Sequence, residues 1–205
     1  MAQIKIPKEK VAIVLIEPQN DFLSEGGTMY AHIKEQLAER HVIANLQDLL
    51  EKARGQVAKI FYCPFHPFDP GFPELKKGGP ACEGLRGIEM DMEADWGTGA
   101  WLRGTPGPEI IKELTPQPGD VVVEGKKTLD AFHSTGLDYY LRANEIEYVA
   151  FTGFHTDWCV ESSARSAYDK ATVSSLSTTA PRPIRRKSRI SVKNGFPEDW
   201  KSHEP

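Results

Sequence analysis

Four apolar runs rich in β-forming residues recur along the chain and limit its possible folds more than any other feature of the sequence. They are VAIVLI (11–16), VAKIFYC (57–63), DVVVE (120–124) and YVAFTG (148–153). The runs are continuous rather than alternating, which is typical of strands buried on both faces of a parallel sheet. Helix-length segments separate most of them, so the pattern predicts an α/β fold with right-handed crossovers.

The segments between the runs supply the predicted helices. Leucine and isoleucine at roughly helical spacing predict one helix over residues 33–54, and two more are predicted over residues 134–144 and 158–170. Glycine and proline interrupt residues 64–118 too often for regular strands, and a loop of this length usually covers a functional site. A weak strand is predicted within residues 171–180.

Length and charge limit the domain count and the partners. A chain of 205 residues fits one domain, which we expect to span residues 1–180. Residues 181–205 contain six basic residues between Arg182 and Lys193 with no acid among them, which predicts a solvated tail. A net charge of -4 gives no global attraction to nucleic acid or to anionic membranes. We therefore expect a small-molecule partner.

The apolar runs and the cysteines indicate the expected compartment. The first apolar run, residues 11–16, is far shorter than a membrane span, so neither a signal peptide nor an anchor is expected. Cys63, Cys82 and Cys159 are odd in number and lack CxxC spacing, which argues against a disulfide framework or a zinc site. These features predict reduced thiols in a cytoplasmic protein.

Three reactive residues each follow one of the predicted strands. Glu17 directly follows the first run, Lys126 comes just after the third, and Cys159 lies a few residues beyond the fourth. The carboxyl ends of parallel strands share one edge of the sheet, where ligands bind. An acid, a lysine and a thiol at that edge form a set capable of nucleophilic chemistry. A helix N-terminus and an ammonium group both stabilise a thiolate, and a carboxyl group can transfer its proton.

Each of these residues also has a structural interpretation. A lone buried cysteine usually packs as a small hydrophobe, and Lys126 beside Lys127 is more often part of a solvated pair. Glu17 is the least easily explained, because an acid at the end of an apolar run is costly without a partner. The residues alone leave the choice open.

Three motifs in order resemble the isochorismatase-like cysteine hydrolases, a group that includes nicotinamidases and other amidases. They are VAIVLIEPQNDF, DVVVEGKKTLDAF and TGFHTDWCVESSARSAYDKA, and the resemblance covers about residues 8–171. It implies a doubly wound three-layer sandwich with a mostly parallel central sheet, and a homo-oligomer. It also implies a catalytic triad of Glu17, Lys126 and Cys159.

The resemblance further implies a non-proline cis peptide between Phe154 and His155. The NH groups of His155 and Cys159 would then form the oxyanion hole for a tetrahedral intermediate. The substrate-binding residues predicted around this site are Gln19, Phe22, His66, Trp101 and Trp158.

Departures from the family pattern bear on the chemistry. The family's usual acid is Asp, whereas this chain has Glu17, one methylene longer. Members that cleave isochorismate lack the cysteine, so Cys159 points to hydrolysis of an amide or ureido C–N bond. Nicotinamidases bind zinc through an Asp-x-His pattern that is missing around His66 and Asp69. We therefore predict no metal or other cofactor, and we expect His66 to be a pocket-wall or loop residue.

Two other functions are compatible with the sequence. One is a catalytically inactive family member that acts as a binding or scaffold protein, which the unusual basic tail suggests. The other is a thiol redox protein in which folding brings Cys63 to Cys159. Reactivity of the thiols would discriminate among them.

Overall fold

The computed structural model describes residues 6–75, 93–170 and 172–176. The strands in these ranges are β1 Val11–Ile16, β2 Lys59–Cys63, β3 Glu93–Ala94, β4 Gly97–Thr98, β5 Val121–Val122, β6 Tyr148–Gly153 and β7 Val173–Leu176. The α-helices are α1 Asn20–Leu23, α2 Tyr30–Glu39, α3 Val42–Ala53, α4 Leu137–Ala143 and α5 Glu161–Asp169. Short 3₁₀ turns at Lys8–Lys10 and Lys112–Leu114 and a π turn at Thr156–Val160 complete the helical elements.

Within the described residues, the central sheet has five parallel strands in the order β5-β2-β1-β6-β7. β1 lies in the middle, and its alternate side chains enter two different apolar clusters. Ile13 and Leu15 join a cluster with α3, while Val14 and Ile16 join one with α4 and α5. Both faces of β1 are therefore buried, which explains the continuous apolar run and confirms the predicted doubly wound α/β fold.

The predicted single helix over residues 33–54 is wrong in its continuity. The structure has two helices, α2 and α3, because His41 adopts the left-handed conformation at φ 48° and ends the helical path. The side-chain amide of Asn45 donates to the carbonyl of Arg40 at 2.7 Å, which stabilises the break. No glycine or proline marks this position in the sequence.

The described parts of the long loop after β2, residues 64–75 and 93–118, are mostly irregular, but β3 and β4 form a short antiparallel pair within them. The later part of the loop runs beside the residues that follow β1. The NH of Asp21 donates to the carbonyl of Gly107 at 3.0 Å, and the NH of Ile111 donates to the carbonyl of Pro18 at 3.0 Å. We call residues 97–111 the strap. It covers the edge of the sheet at which β1 ends.

The C-terminal part of the described chain agrees with the prediction made from the sequence. β7 lies inside the predicted weak strand and pairs in parallel with β6, which confirms that prediction. The predicted basic tail, residues 181–205, lies outside the described residues, as does Cys82. Within the described ranges no helix has both the length and the apolar character needed to cross a membrane.

Candidate active site

The ends of β1, β2 and β6 are joined by main-chain hydrogen bonds. The NH of Glu17 donates to the carbonyl of Cys63 at 3.1 Å, and the NH of Phe154 donates to the carbonyl of Ile16 at 3.1 Å. Gly153 makes this approach possible, since a Cβ there would lie 2.1 Å from the Ile16 carbonyl oxygen and its φ is +120°. Glu17 itself has φ 51°, a conformation that non-glycine residues adopt mainly at constrained positions.

Glu17 and Lys126 form a buried ion pair at this edge. The Lys126 ammonium donates to Glu17 Oε1, and both residues are at most 1% exposed. Burial opposes the charge of Lys126, but attraction to Glu17 and to Cys159 outweighs it and raises the pKa of Lys126. Lys126 therefore stays positively charged at neutral pH. A buried charge of this kind requires a partner, which Glu17 provides.

Cys159 lies in the π turn that leads into α5 and is almost fully buried. Its carbonyl accepts a hydrogen bond from the Ser163 hydroxyl at 2.6 Å, and the Ser163 oxygen accepts the NH of Ala131 at 2.9 Å. Its electrostatic interaction with Lys126 is one cause of the raised pKa of Lys126. The structure thus brings all three reactive residues of the sequence analysis to one edge of the sheet.

The second carboxylate oxygen of Glu17, Oε2, lacks a hydrogen-bond partner among the described residues, although it is buried. Buried polar atoms nearly always have partners, so an orphan here needs an explanation. An oxygen with no protein partner is available to a proton or to a group of a substrate.

The turn between β6 and Cys159 has the unusual backbone that the resemblance implies. The peptide bond between Phe154 and His155 is cis. The His155 carbonyl accepts the NH groups of Trp158 and Val160, both at 3.1 Å. The roles of the His155 and Cys159 NH groups as an oxyanion hole remain a prediction.

The side chain of His155 is uncharged at neutral pH. Burial lowers its pKa to about 4, which the nearby Asp157 opposes and His32 reinforces. Its Nε2 atom is buried without a hydrogen-bond partner among the described residues. A neutral, unpaired imidazole nitrogen thus lies on the turn that carries Cys159.

Aromatic side chains surround the reactive residues. The ring of Phe22 lies 5.5 Å from that of Trp101 and 5.1 Å from that of His155. Trp158 is half-buried, with its ring 5.6 Å from that of His155. These contacts place three of the five predicted substrate-binding residues around the turn, although their contact with substrate remains a prediction.

The other two predicted substrate-binding residues mainly organise the loop after β2. Gln19 accepts the NH of Phe65 at 2.7 Å and donates to the carbonyls of Phe65 at 2.9 Å and Pro108 at 2.7 Å. These bonds use its two amide hydrogens and its oxygen, which indicates a positioning role. The NH of half-buried His66 donates to the carbonyl of Lys126 at 2.6 Å.

Asp21 is a further buried acid that the sequence analysis missed. It is fully buried and accepts the NH of Trp101 at 2.6 Å and the hydroxyl of Thr28 at 3.2 Å. Burial raises the pKa of Asp21, although these hydrogen bonds oppose the rise. A Cβ at Gly107 would lie 2.3 Å from Asp21 Oδ2, so the strap packs directly against the carboxylate. An acid just after a buried strand, the signal that singled out Glu17, was also present here.

The two cysteines in the described part of the chain are buried in different surroundings. Both are free thiols, but burial raises the pKa of Cys63 to about 12, with Lys126 opposing and Glu17 reinforcing the rise. Cys63 therefore stays protonated, and a protonated thiol is a poor partner in thiol–disulfide exchange. This disfavours the redox alternative.

The described residues contain no group of three His, Cys, Asp or Glu side chains able to hold a metal ion. Asp69, which the sequence placed near His66, instead accepts a hydrogen bond from Arg103 Nε at 2.6 Å. The absence of a metal cofactor remains a prediction.

Comparison with known proteins agrees with the fold and the motifs. The isochorismatase domain model matches residues 11–172. Ureidoacrylate amidohydrolase RutB from Agrobacterium fabrum is 30% identical over 174 residues, which cover 80% of this chain and 72% of the relative.

Two solved structures share the fold. A cysteine hydrolase from Pseudomonas syringae pv. phaseolicola superposes with a TM-score of 0.68 at 22% identity, over 87% of this chain and 75% of that one. N-carbamoylsarcosine amidase from Thermoplasma acidophilum gives a TM-score of 0.63 at 24% identity, over 86% and 87% of the two chains. The chain belongs to the isochorismatase domain family, which confirms the resemblance found in the sequence.

Proposed function

We propose that this protein is a cysteine-dependent hydrolase that cleaves an amide or ureido C–N bond of a small molecule through a thioester intermediate. The observation that carries the proposal is the buried Glu17–Lys126 ion pair beside Cys159, with Glu17 Oε2 left unpaired. Membership of the isochorismatase family and the similarity to an amidohydrolase make the chain a hydrolase of C–N bonds other than peptide bonds.

Acylation begins with the thiol of Cys159. Glu17 takes the thiol proton, and the thiolate is stabilised by the Lys126 ammonium. Sulfur attacks the substrate carbonyl carbon and forms a C–S bond. The C–N bond then breaks as Glu17 returns the proton to the leaving nitrogen, which releases an amine or ammonia and leaves a thioester on Cys159.

Hydrolysis of the thioester uses the same carboxylate. Glu17 removes a proton from water, and the resulting hydroxide attacks the thioester carbonyl. The C–S bond breaks, the acid leaves, and Cys159 returns as a thiolate that recovers the proton held by Glu17. The Lys126 ammonium keeps its proton throughout because it is paired with Glu17 and close to the thiolate charge. Its role is to orient the carboxylate and to stabilise negative charge.

The test is a screen of purified protein against small primary amides and N-carbamoyl compounds, with release of ammonia as the readout. We expect turnover of at least one compound and a covalent acyl adduct on Cys159 detectable by mass spectrometry. Cys159→Ala should lose turnover by at least about 10⁴-fold, as removal of a nucleophile typically does.

The second buried cysteine provides the matched control. Cys63→Ala removes a thiol that is protonated and at least as deeply buried, so it should retain turnover. Equal loss in the two variants would indicate damage to the fold. If no compound is turned over and Cys159 reacts with iodoacetamide no faster than Cys63, the inactive binding protein is the better description.

A further inference from the structure

Aromatic rings connect the Glu17–Lys126 pair to the strap. The Lys126 ammonium lies 4.8 Å from the centre of the Phe65 ring, and Phe65 stacks on Trp101 with ring centres 4.4 Å apart. Trp101 belongs to the strap and is held there by Asp21 through its main-chain NH. Its indole therefore stacks on the ring that contacts Lys126.

The path continues from Trp101 to the turn that carries Cys159. Phe22 touches the rings of Trp101 at 5.5 Å and of His155 at 5.1 Å. Cys159 follows His155 in the same turn and interacts electrostatically with Lys126. We call the residues that these contacts link the site ring: Glu17, Lys126, Phe65, Trp101, Phe22 and His155.

Three members of the site ring have a buried polar atom without a hydrogen-bond partner. Six side chains in the described part of the chain have such an atom, and half of them belong to this ring: Glu17 Oε2, Trp101 Nε1 and His155 Nε2. Each of the three residues is at least nine-tenths buried. Since buried polar atoms in proteins are rarely left unpaired, this concentration indicates that a ligand supplies the missing partners.

The three atoms define the chemistry that such a ligand must offer. An indole NH only donates, whereas a neutral imidazole nitrogen either donates or accepts according to its tautomer. The one cation of the ring, Lys126, is already paired with Glu17, and His155 is uncharged at neutral pH. No ring member offers a free positive charge to a carboxylate. The group that fits is an uncharged planar one that bears both donors and acceptors.

We propose that Trp101 Nε1 and His155 Nε2 are specificity-determining groups that hydrogen-bond the uncharged amide or ureido edge of the substrate, an inference that rests on the proposed function. Trp101 donates to an oxygen of that edge, and His155 binds a second polar atom of it. Glu17 Oε2 remains available to transfer a proton to the nitrogen of the scissile bond. The proposal separates recognition by two neutral side chains from proton transfer by Glu17.

Two thiol reagents test the recognition step without knowledge of the natural substrate. Iodoacetamide carries an uncharged primary amide, whereas methyl methanethiosulfonate has none, and mass spectrometry reports the rate at which each modifies Cys159. Trp101→Phe and His155→Phe keep an aromatic ring and remove the nitrogens. We expect each variant to slow the iodoacetamide reaction about 3- to 10-fold, the usual effect of one neutral hydrogen bond. The methanethiosulfonate rate should stay within about twofold of the wild-type rate.

Two comparisons complete the design. Iodoacetate replaces the amide by a carboxylate, and it should modify wild-type Cys159 about tenfold more slowly than iodoacetamide, because a charged group finds no counter-charge. His133 is exposed and lies outside the site ring, so His133→Phe should leave both rates unchanged.

The outcomes separate this inference from the proposed function. A selective loss of iodoacetamide reactivity in both variants supports the inference. Equal losses with both reagents, or no loss with either, overturn it while a reactive Cys159 still supports a hydrolase. A wild-type Cys159 that is slow with both reagents across the pH range contradicts the proposed function and the inference together.

Discussion

The sheet edge and the strap differ in how much side-chain hydrogen bonds add to the main-chain bonds that hold them in place. At the edge, main-chain hydrogen bonds join Glu17 to β2 and Phe154 to β1, and Gly153 allows the two strands to approach closely. The strap also has main-chain hydrogen bonds, from Asp21 to Gly107 and from Ile111 to Pro18, but buried side chains add to them. The Gln19 side chain donates to the carbonyl of Pro108 in the strap, and the Asp21 carboxylate accepts the NH of Trp101.

Because of this difference, the sheet edge and the strap should respond differently to amino-acid substitution. The reactive residues lie just beyond the ends of sheet strands, where the scaffold holds side chains more precisely than a long loop does. The strap carries Trp101 and is secured partly by a few side chains, each of which a single substitution can remove. Substitutions at the edge should therefore damage chemistry most, while those in the strap should act mainly on stability and binding.

The largest effect is expected from the acid at the sheet edge. Glu17→Gln keeps the size and hydrogen bonding of the side chain but removes its basicity, and loss of general acid–base help typically costs about 10² to 10⁴ in rate. Glu17→Asp restores the family's usual acid but draws the carboxylate back, and misplacement of about 1 Å can cost about 10². Steady-state ammonia release on any compound that the wild type cleaves provides the measurement. If the Gln variant kept wild-type rates, Glu17 would not be the proton-transferring acid of the triad.

Among the single variants considered, removal of the Lys126 ammonium should cause the largest loss of folding stability. Lys126→Met leaves the buried Glu17 carboxylate without its counter-charge, a change that typically costs about 3 to 5 kcal/mol of folding free energy. Urea unfolding at pH 7 measures this loss.

The pH dependence of the Lys126 contribution has a definite sign. The pKa of Lys126 is raised above its ordinary 10.5, so its stabilising effect is complete below that value and fades only as pH rises through the native-state pKa. The control is the double variant Glu17→Gln/Lys126→Met, which removes both charges and should recover part of the lost stability. A double variant less stable than the sum of its parts would contradict the pairing.

A smaller loss is expected when the buried anchor of the strap is changed. Asp21→Asn keeps the shape of the side chain but replaces one acceptor oxygen by a donor, so one of its hydrogen bonds is lost at a cost of about 1 to 3 kcal/mol. Hydrogen exchange at the Trp101 NH should quicken more than exchange in β1. Equal acceleration in the two elements would show that Asp21 supports the whole fold rather than the strap.

The same variant has a characteristic pH dependence. The raised pKa of Asp21 means that the folded state binds its proton more tightly than the unfolded state, where the ordinary value is 3.8. The wild type therefore gains stability as pH falls through the native-state pKa towards 3.8, whereas the Asn variant does not. The difference in unfolding free energy between the two should widen in acid. A constant difference would mean that Asp21 does not titrate in this range.

The smallest effect is expected from the exposed ion pair on the strap. Arg103 pairs with Asp69, but their side chains are 55% and 48% exposed, and such pairs contribute about 0 to 1 kcal/mol. Arg103→Ala keeps the main-chain bond from residue 103 to the carbonyl of Phe68. Thermal unfolding should shift little, in contrast to Asp21→Asn. A larger shift than that of Asp21→Asn would reverse the assignment of the anchor.

The strands were the most predictable part of the fold. β1 and β6 occupy the residues of their apolar runs because burial on both faces leaves a continuous pattern. The break between α2 and α3 was not predictable, since His41 is an ordinary residue in a left-handed conformation. Local sequence carries no signal for it.

The candidate site was predictable where its residues follow strands. Glu17, Lys126 and Cys159 could be grouped because parallel strands end at one edge. The role of Asp21 was not predictable from the sequence, because its partner Trp101 lies 80 residues away and only folding of the strap brings the two together. The neutral state of His155 likewise depends on burial that the sequence does not reveal.

The way in which the strap is anchored has a consequence for how such a protein can change. Asn20 and Gln19 bind main-chain carbonyls of residues 106 and 108, and Asp21 binds a main-chain NH. Main-chain atoms are common to all residues, so the anchors do not depend on which side chains the strap carries. Residues 103 and 105 can therefore vary in evolution, or in a designed library, while buried Leu102, Gly104 with its φ of 84° and the acid at position 17 keep their places. New substrate preferences become reachable by exchange of these two strap residues, without renewed optimisation of the reactive groups.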